Sequence, residues 1–302
     1  MTAASAASPA RVQIAAHAKA NLFLRVLSTE TSGFHSIETL FTLLELADEL
    51  VVERIAQGIE LEVHGADTGP TEANLAYRAA ALMLEATGRR FGVRIALTKK
   101  VPVQAGLGGG SSDAAAALHA VNALARYAVP RHEILQYAAR LGSDVPFFAS
   151  GAPFALAWGR GERLFRLAPP PAAPALLLIP PTGVSTKETY ERLDAAPPHE
   201  GRRGATVLDV DALATWGGVG RLGGNDFESV IFGAHPDLKA AFERLAETGP
   251  LAVRLSGSGS ALIAVYRDEP RREAAELRLA GGDYRLIRTA TRAQAAPGAQ
   301  AQ

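Results

Sequence analysis

The sequence contains no cysteine, no excess of charge of either sign and no long hydrophobic run. Without cysteine, the 302-residue chain has no disulfide bond, thiolate nucleophile or cysteine-ligated metal. Basic and acidic side chains number 31 each, so nothing predicts the broad positive field that selects nucleic acid or anionic membranes. The composition therefore favours a cytoplasmic protein whose partner is a small molecule.

The start of the chain does not resemble a secretion signal, because residues 1–9 are small and polar and no apolar core follows them. The most apolar run, at 175–179, is far shorter than the roughly 20 residues that a membrane-crossing helix needs. We therefore predict no membrane association. We also expect disordered tails at 1–9 and 293–302.

Prolines and alanines are concentrated at residues 168–174, and such a stretch is typical of a linker between domains. We predict an N-terminal domain at 10–168 and a C-terminal domain at 175–292. Strand and helix patterns are mixed in both parts, which favours the α+β fold class.

Apolar residues that alternate predict strands, and apolar residues three or four positions apart predict helices. In the first domain, this spacing predicts strands at 12–18, 22–27, 51–53, 59–63 and 93–97 and helices at 74–87, 113–126 and 131–141. In the second, it predicts strands at 176–179, 253–255, 261–266 and 284–289 and helices at 186–193, 237–247 and 270–279.

A glycine-serine loop at residues 106–112 lies between a predicted strand and an alanine-rich helix. Glycines let the backbone approach a polyanion closely, and the following helix presents its positive end there. The hydroxyls of Ser111 and Ser112 add donors or a magnesium ligand. A plain glycine turn with a serine cap is the alternative, but the position between strand and helix favours a phosphate site.

The loop does not match two other phosphate-binding motifs. A P-loop requires a lysine before the hydroxyl residue, and none is present. In the dinucleotide fingerprint GxGxxG, the third glycine would fall at Ser111. These mismatches argue against a P-loop NTPase and against a nicotinamide enzyme.

Two charged residues have both a catalytic and an ordinary interpretation. Asp144 follows a predicted helix and precedes Pro146, so it would accept the proton of a substrate hydroxyl or simply cap the next segment, and the sequence alone favours the cap. Lys19 lies inside an apolar strand, where a buried ammonium needs an anionic partner and an edge position needs none. A later turn, 257–260, would offer amides to a phosphate or form a plain hairpin.

Three segments together resemble the signatures of the galactokinase, homoserine kinase, mevalonate kinase and phosphomevalonate kinase (GHMP) superfamily. They read AKANL at 18–22, PVQAGLGGGSSDAAAA at 102–117 and LSGSGS at 255–260. The resemblance implies ATP and Mg²⁺ as cofactors. It also implies a ribosomal-protein-S5-like N-terminal domain with a left-handed βαβ element, a ferredoxin-like C-terminal domain, and an active site in the cleft between them.

Within the superfamily, the segments AKANLFLRV, GFHSIETLF, LGSDVPFF, STKETY and SGSGS most resemble one branch. Its members phosphorylate the 2-hydroxyl of 4-diphosphocytidyl-2-C-methyl-D-erythritol on the way to isoprenoid precursors. Two alternatives stay open: a kinase acting on mevalonate, homoserine or a sugar, and a nucleotide-binding homologue without catalysis. The resemblance leaves both a monomer and a homodimer open.

The resemblance also implies roles for individual residues. The catalytic residues are Lys19 and Asp144, and Ser111 is the metal ligand. Substrate contacts are Asn21, Phe34, His35, Thr186 and Tyr190, with cytosine between the two aromatic rings and His35 at its edge. ATP contacts are Lys99, Pro102, Gly106, Leu107, Gly108, Gly109, Gly110, Ser111, Ser112, Gly257, Ser258 and Gly259. The sequence departs from the family at Phe34, where tyrosine is usual, and at Gln104, where glycine is usual.

Overall fold

The chain folds into two β-sheets covered by helices. The structure is a computed structural model that describes residues 9–31, 33–181, 183–196, 208–222, 224–295 and 300–301. Most of the two tails expected to be disordered, namely 1–8, 296–299 and 302, lies outside the described residues. Within the ranges that are described, no helix has the length and apolar character needed to cross a membrane.

The strands and helices are numbered along the described chain. The strands are β1 (Arg11–Thr29), β2 (His35–Ile55), β3 (Ile59–His64), β4 (Gly92–Thr98), β5 (Phe154–Gly159), β6 (Arg163–Arg166), β7 (Pro174–Ile179), β8 (Ala252–Leu255), β9 (Leu262–Val265), β10 (Arg285–Ala290) and β11 (Gln300–Ala301). The helices are α1 (Leu75–Ala86), α2 (Gly109–Leu124), α3 (Arg131–Leu141), α4 (Val145–Ser150), α5 (Thr186–Ala195), α6 (Trp216–Arg221), α7 (Phe227–Ala234), α8 (Pro236–Ala246) and α9 (Glu269–Leu279). Short 3-10 turns lie at Thr71–Ala73 and Ala212–Ala214.

The first sheet has seven strands in the order β11-β1-β2-β4-β3, and β5 and β6 extend from the other end of β2. β3 and β4 are parallel, with α1 as the connection between them, and this is the βαβ element of the first half. α2 packs against the sheet through a face of alanines, which lets the helix approach the strands closely. The glycine loop at the start of α2 is therefore fixed to the sheet.

The sequence predicts two strands where the structure has the single strand β1. Its register against β2 shifts between His17 and Lys19 and again between Asn21 and Phe23. Such β-bulges bend a strand and redirect its side chains. They leave this part of β1 without a clean alternation, and residues 16–24 are all buried. They also set the directions of Lys19 and Asn21.

The second sheet has the order β10-β7-β9-β8, and its neighbouring strands are antiparallel. If β7, β8, β9 and β10 are numbered 1 to 4 along the chain, their order across the sheet is 4-1-3-2. This is the order of a ferredoxin-like sheet, and it agrees with the expected α+β architecture.

A shared core joins the two sheets. One buried cluster contains Leu22 and Leu40 of the first sheet together with Leu177 and Ile263 of the second. The segment expected to be a linker runs between β6 and β7, so the domain boundary there stays a prediction. The active-site residues described below lie where the two sheets meet.

Candidate active site

Lys19 and Asn21 form a fixed polar pair at the bulged part of β1. The Lys19 ammonium donates to Oδ1 of Asn21 at 2.6 Å. Asn21 donates in turn through Nδ2 to the hydroxyl of Thr39 at 2.7 Å, and that hydroxyl donates to the carbonyl of Phe23 at 2.7 Å. This chain fixes the amide so that its oxygen faces the ammonium. Thr39 lies on β2, and nothing local in the sequence identified it.

Asp144 lies next to Lys19 at the start of α4. One carboxylate oxygen, Oδ2, is 3.5 Å from the Lys19 ammonium, and the side chains are 29% and 4% exposed respectively. Although Asp144 occupies the N-cap position of α4, its side chain makes no capping hydrogen bond. The ordinary interpretation of this residue as a cap is therefore wrong. Its carboxylate faces an open cleft while the ammonium supports it from the protein side.

The glycine-serine loop turns sharply into α2. Gly106 and Gly108 have φ values of +77° and +69°, which residues with a side chain rarely adopt. α2 begins at Gly109, four residues before the predicted start at 113, so Gly109, Gly110, Ser111 and Ser112 form its first turn. The first N–H groups of a helix have no carbonyl partner within that helix. They form a ready anion site at the positive end of the helix dipole.

The late glycine-serine turn holds the loop from the other half of the chain. The Ser256 hydroxyl donates to the carbonyl of Gly106 at 2.9 Å. The backbone N–H of Ala261 donates to the carbonyl of Ala105 at 3.1 Å. Asn225 donates to the carbonyl of Gly257 at 2.5 Å and so fixes the turn. The two segments therefore act as one unit, and the sequence did not identify Asn225 as a part of it.

Two cavities meet at the loop, and both Gly106 and Gly108 line each of them. The larger, of about 1110 Å³, contains Lys19 and Asp144; we call it the acceptor cleft. The smaller, of about 570 Å³, contains Lys99 and Ser111; we call it the nucleotide cavity. A phosphate bound at the loop would thus lie between the two cavities.

The predicted ATP contacts do not all line the same cavity. Those that line the nucleotide cavity are Lys99, Pro102, Gly106, Leu107, Gly108, Gly109, Gly110 and Ser111. Gly257 and Ser258 line the acceptor cleft instead, and Gly259 packs against Leu255. Ser112 is buried and lines a third cavity beside Phe148. Of the two serine hydroxyls, it is therefore Ser111 that faces the nucleotide cavity, as does the unusual residue Gln104, whose φ is +55°.

A buried group of three charges supports the loop from below. The Lys99 ammonium donates to Asp113 at 2.7 Å and to Asp48. Asp48 also accepts from the amides of Lys100 and Val101, at 2.5 and 2.8 Å, and thereby fixes the segment that enters the loop. Burial raises the pKa of Asp113 to about 7; Lys99 opposes this rise and Asp48 adds to it. One ammonium shared by two carboxylates leaves Asp113 poorly neutralised.

We predict that Asp113 makes the stability of the protein depend on pH. Its pKa is about 7 in the folded chain and 3.8 in an isolated residue, so between these pH values the folded state keeps a proton that the unfolded state has lost. The free energy of unfolding should therefore fall as the pH rises through this window, by up to about 1.4 kcal/mol per pH unit. Urea unfolding at several pH values measures this slope.

The Asp113→Asn variant cannot ionise at this position, so its free energy of unfolding should depend less on pH between 4 and 7. Asp283→Asn, which changes an exposed carboxylate in a turn, should keep the slope of the original chain. Equal slopes in the original chain and in Asp113→Asn would contradict the assignment.

The far end of the acceptor cleft is aromatic. The ring of Phe34 is exposed, and the Arg160 guanidinium lies 3.8 Å from its centroid. His35 stacks on Tyr190 with ring centroids 4.4 Å apart, and Tyr190 meets Phe227 edge-on. Burial, followed by the charge of Asp144, raises the pKa of Tyr190 to about 12, so its phenol stays neutral.

Four of the five predicted substrate contacts line this cleft, whereas Asn21 is buried beside Lys19 and is not among the residues that line it. The four are Phe34, His35, Thr186 and Tyr190. Thr186 is within 2.8 Å of the Ser258 hydroxyl, which links α5 to the late turn. One face of Tyr190 is covered by His35, so a base between Phe34 and Tyr190 stays a prediction.

Models of one protein family match both halves of the chain. The family model described as the N terminal domain of GHMP kinases matches residues 74–152, and that of the C terminal domain matches residues 210–283. A 4-diphosphocytidyl-2-C-methyl-D-erythritol kinase of Pelotomaculum thermopropionicum is 37% identical over 91% of this chain and 96% of its own length. The kinase of the same name from Moorella thermoacetica is 39% identical over 84% of this chain and 89% of its own length.

Solved structures of kinases are also similar to this chain. A crystal structure of 4-(cytidine 5'-diphospho)-2C-methyl-D-erythritol kinase superposes with a TM-score of 0.76 at 38% identity and covers 92% of this chain and 98% of that one. A homoserine kinase of Cytophaga hutchinsonii reaches a TM-score of 0.72 at 19% identity and covers 99% of both chains. At that identity the second likeness concerns the fold alone.

Proposed function

The chain belongs to the GHMP kinase family, and on that premise we propose that it transfers the γ-phosphate of ATP to the 2-hydroxyl of 4-diphosphocytidyl-2-C-methyl-D-erythritol. It is an ATP-dependent small-molecule kinase that serves isoprenoid precursor synthesis. The observation that carries the chemistry is the pair Asp144 and Lys19, which faces the acceptor cleft beside the glycine loop.

The residues of the chain account for the steps of phosphoryl transfer. Asp144 accepts the proton of the substrate hydroxyl while the hydroxyl oxygen attacks the γ-phosphorus of ATP. The attack is in line with the β-phosphate, which leaves as part of ADP. The Lys19 ammonium, 3.5 Å from this carboxylate, lies where it also offsets charge on the transferring phosphoryl group. The amides at the start of α2 hold the phosphates of ATP, so both reactants are positioned before reaction.

The donors in the nucleotide cavity fit a magnesium ion bound to ATP. Ser111 faces the cavity from the first turn of α2, and Oδ1 of Asp113, two residues further along the same helix, makes no hydrogen bond to any residue of the described ranges. Hydroxyl and carboxylate oxygens suit Mg²⁺, which in such sites is held largely by phosphates and water. We propose Ser111 as the protein ligand. The bound ion would neutralise part of the phosphate charge.

Base recognition is assigned to the aromatic end of the acceptor cleft. Phe34 offers an exposed stacking face, and Tyr190 offers a neutral aromatic ring that Phe227 supports. His35 stacks on Tyr190 and lines the same cleft, where it would meet the edge of a pyrimidine. The pyrophosphate of the substrate would face the basic residues of the cleft, which include Arg140, Arg163 and Lys187. Cytoplasmic location and the choice between monomer and homodimer stay predictions.

A direct assay tests the substrate assignment. The purified chain is expected to transfer ³²P from labelled ATP to the cytidine substrate and to show little transfer to mevalonate, homoserine or galactose. His35→Ala should raise the Michaelis constant for the cytidine substrate by about tenfold, because a buried hydrogen bond to the base is lost. The Michaelis constant for ATP should not change.

The outcomes separate the alternatives. Efficient transfer to mevalonate, homoserine or galactose instead would favour another kinase of the family. ATP binding without transfer to any of these acceptors would favour a homologue that has lost catalysis. An unchanged Michaelis constant for the cytidine substrate in His35→Ala would show that this histidine does not read the base.

A further inference from the structure

Asp194 is hydrogen-bonded to the histidine at the aromatic end of the cleft. It lies near the end of α5, one helical turn after Tyr190, and its Oδ1 is 2.8 Å from Nε2 of His35. The histidine side chain is only 8% exposed, whereas the Asp194 side chain is 51% exposed. His35 therefore has one ring face on Tyr190 and one ring nitrogen on the carboxylate.

This contact fixes which ring nitrogen carries the proton. An ionised carboxylate only accepts hydrogen bonds, so Nε2 of His35 must donate. In a neutral imidazole the other nitrogen, Nδ1, is then an acceptor. Nδ1 makes no hydrogen bond to any other residue in the part of the chain that the structure describes. The stacked Tyr190 ring holds the plane of the imidazole and thus the direction of that lone pair.

An acceptor at this point separates the two common pyrimidines. Cytosine carries an amino group at C4, which donates, whereas uracil carries a carbonyl oxygen there, which accepts. A lone pair on Nδ1 receives a hydrogen bond from the cytosine amino group and meets the uracil oxygen as a second acceptor. The opposite tautomer would reverse the preference.

We propose that Asp194 is a positioning residue that makes the site select cytosine over uracil by fixing the tautomer of His35. The inference rests on the proposed function, since it assumes that a cytidine-linked substrate binds in the acceptor cleft. Asp194 lines the acceptor cleft, and its hydrogen bond in the structure is to His35. It acts through His35, so its loss alters the choice between two bases more than the rate with the better one.

The test compares two acceptors and three chains. Turnover is measured with the cytidine substrate and with its uridine counterpart for the original chain, Asp194→Asn and Glu188→Gln. Glu188 lies on the same helix, is also 51% exposed and pairs with Arg192, so it is a matched control. Asparagine at 194 can accept from Nε2 or donate to it, and both tautomers become accessible.

We expect the ratio of kcat/KM for cytidine over uridine to fall by about tenfold or more in Asp194→Asn, mainly through the Michaelis constants. Glu188→Gln should keep the ratio of the original chain. An equal loss with both acceptors in Asp194→Asn would show a purely structural role and overturn the proposal.

A second measurement needs no substrate. Nitrogen chemical shifts of the histidine rings, recorded by NMR on the labelled full chain, report which nitrogen of His35 is protonated. Loss of one signal in His35→Gln identifies it. The proton is expected on Nε2 in the original chain, with both tautomers present in Asp194→Asn. A proton on Nδ1 in the original chain would overturn the proposal even if the kinase activity is as proposed. Conversely, absent activity with the proton on Nε2 would refute the proposed function, and with it the choice between bases, while the tautomer of His35 would stand as assigned.

Discussion

Replacing Asp144 with asparagine is expected to lower kcat by about 10²- to 10⁴-fold, because an amide cannot accept the proton of the substrate hydroxyl. The carboxylate makes no capping hydrogen bond to α4 and is partly exposed, so among the described residues its loss removes no hydrogen bond or ion pair beyond the pair with Lys19. ATP affinity should therefore change little. Single-turnover kinetics and calorimetric titration with ATP measure the two quantities separately.

Asp283→Asn is the control for this experiment, since it makes the same chemical change on an exposed turn. It should retain the turnover of the original chain. Full turnover by Asp144→Asn would remove this residue from the mechanism. Loss of ATP binding together with turnover would instead point to a damaged glycine loop.

Replacing Gly106 with alanine is expected to have the largest effect on structure. A Cβ at this position would lie 2.1 Å from the carbonyl oxygen of Ser256, and the φ of +77° is itself costly for alanine. Because the obstacle is backbone, no side-chain rotation relieves it. We expect the free energy of unfolding to fall by about 2–4 kcal/mol and ATP affinity to fall by at least about tenfold. Urea unfolding and ATP titration measure both.

The Gly249→Ala variant separates the cost of a positive φ from the cost of the close contact with Ser256. Gly249 has a similar φ of +73°, but a Cβ there would meet no atom within 4 Å. Its variant should lose only the conformational part, about 1 kcal/mol, and keep its affinity for ATP. If Gly106→Ala cost no more stability than Gly249→Ala, the contact with Ser256 would not hold the loop as described.

The glycine loop could be predicted because its signal is local. A strand, a run of glycines and an alanine-rich helix follow one another in the chain, and each element matches its own pattern. Only the start of α2 was misplaced. Glycine is a poor residue within a helix, so residues 109–112 were assigned to the loop, whereas they form the first turn, where the backbone must approach a ligand.

The buried first part of β2 could not be predicted from periodicity. Residues 37–44 are almost all buried, since α2 covers one face of the sheet and the second half of the chain covers the other. A strand buried on both faces loses the alternation that identifies it. β5, which pairs with this part of β2, was missed as well.

The partners of the predicted site residues were missed for a different reason. Thr39, Asp48, Asp194 and Asn225 each act on a site residue that is distant in the chain. Nothing in the neighbouring sequence distinguishes such a residue from an ordinary surface or turn residue. Only the fold shows that Asp48 supports the glycine loop and that Asn225 fixes the turn against it.

The contact between Gly106 and Ser256 also limits how the protein can be divided. The amides that would hold phosphate belong to the first half of the chain, but the hydroxyl and backbone that shape their loop belong to the second. Neither half is a self-sufficient nucleotide-binding module. A chimera that exchanges one half with that of a distant relative must preserve the contact between Gly106 and Ser256, because residues of both halves form the kinase site.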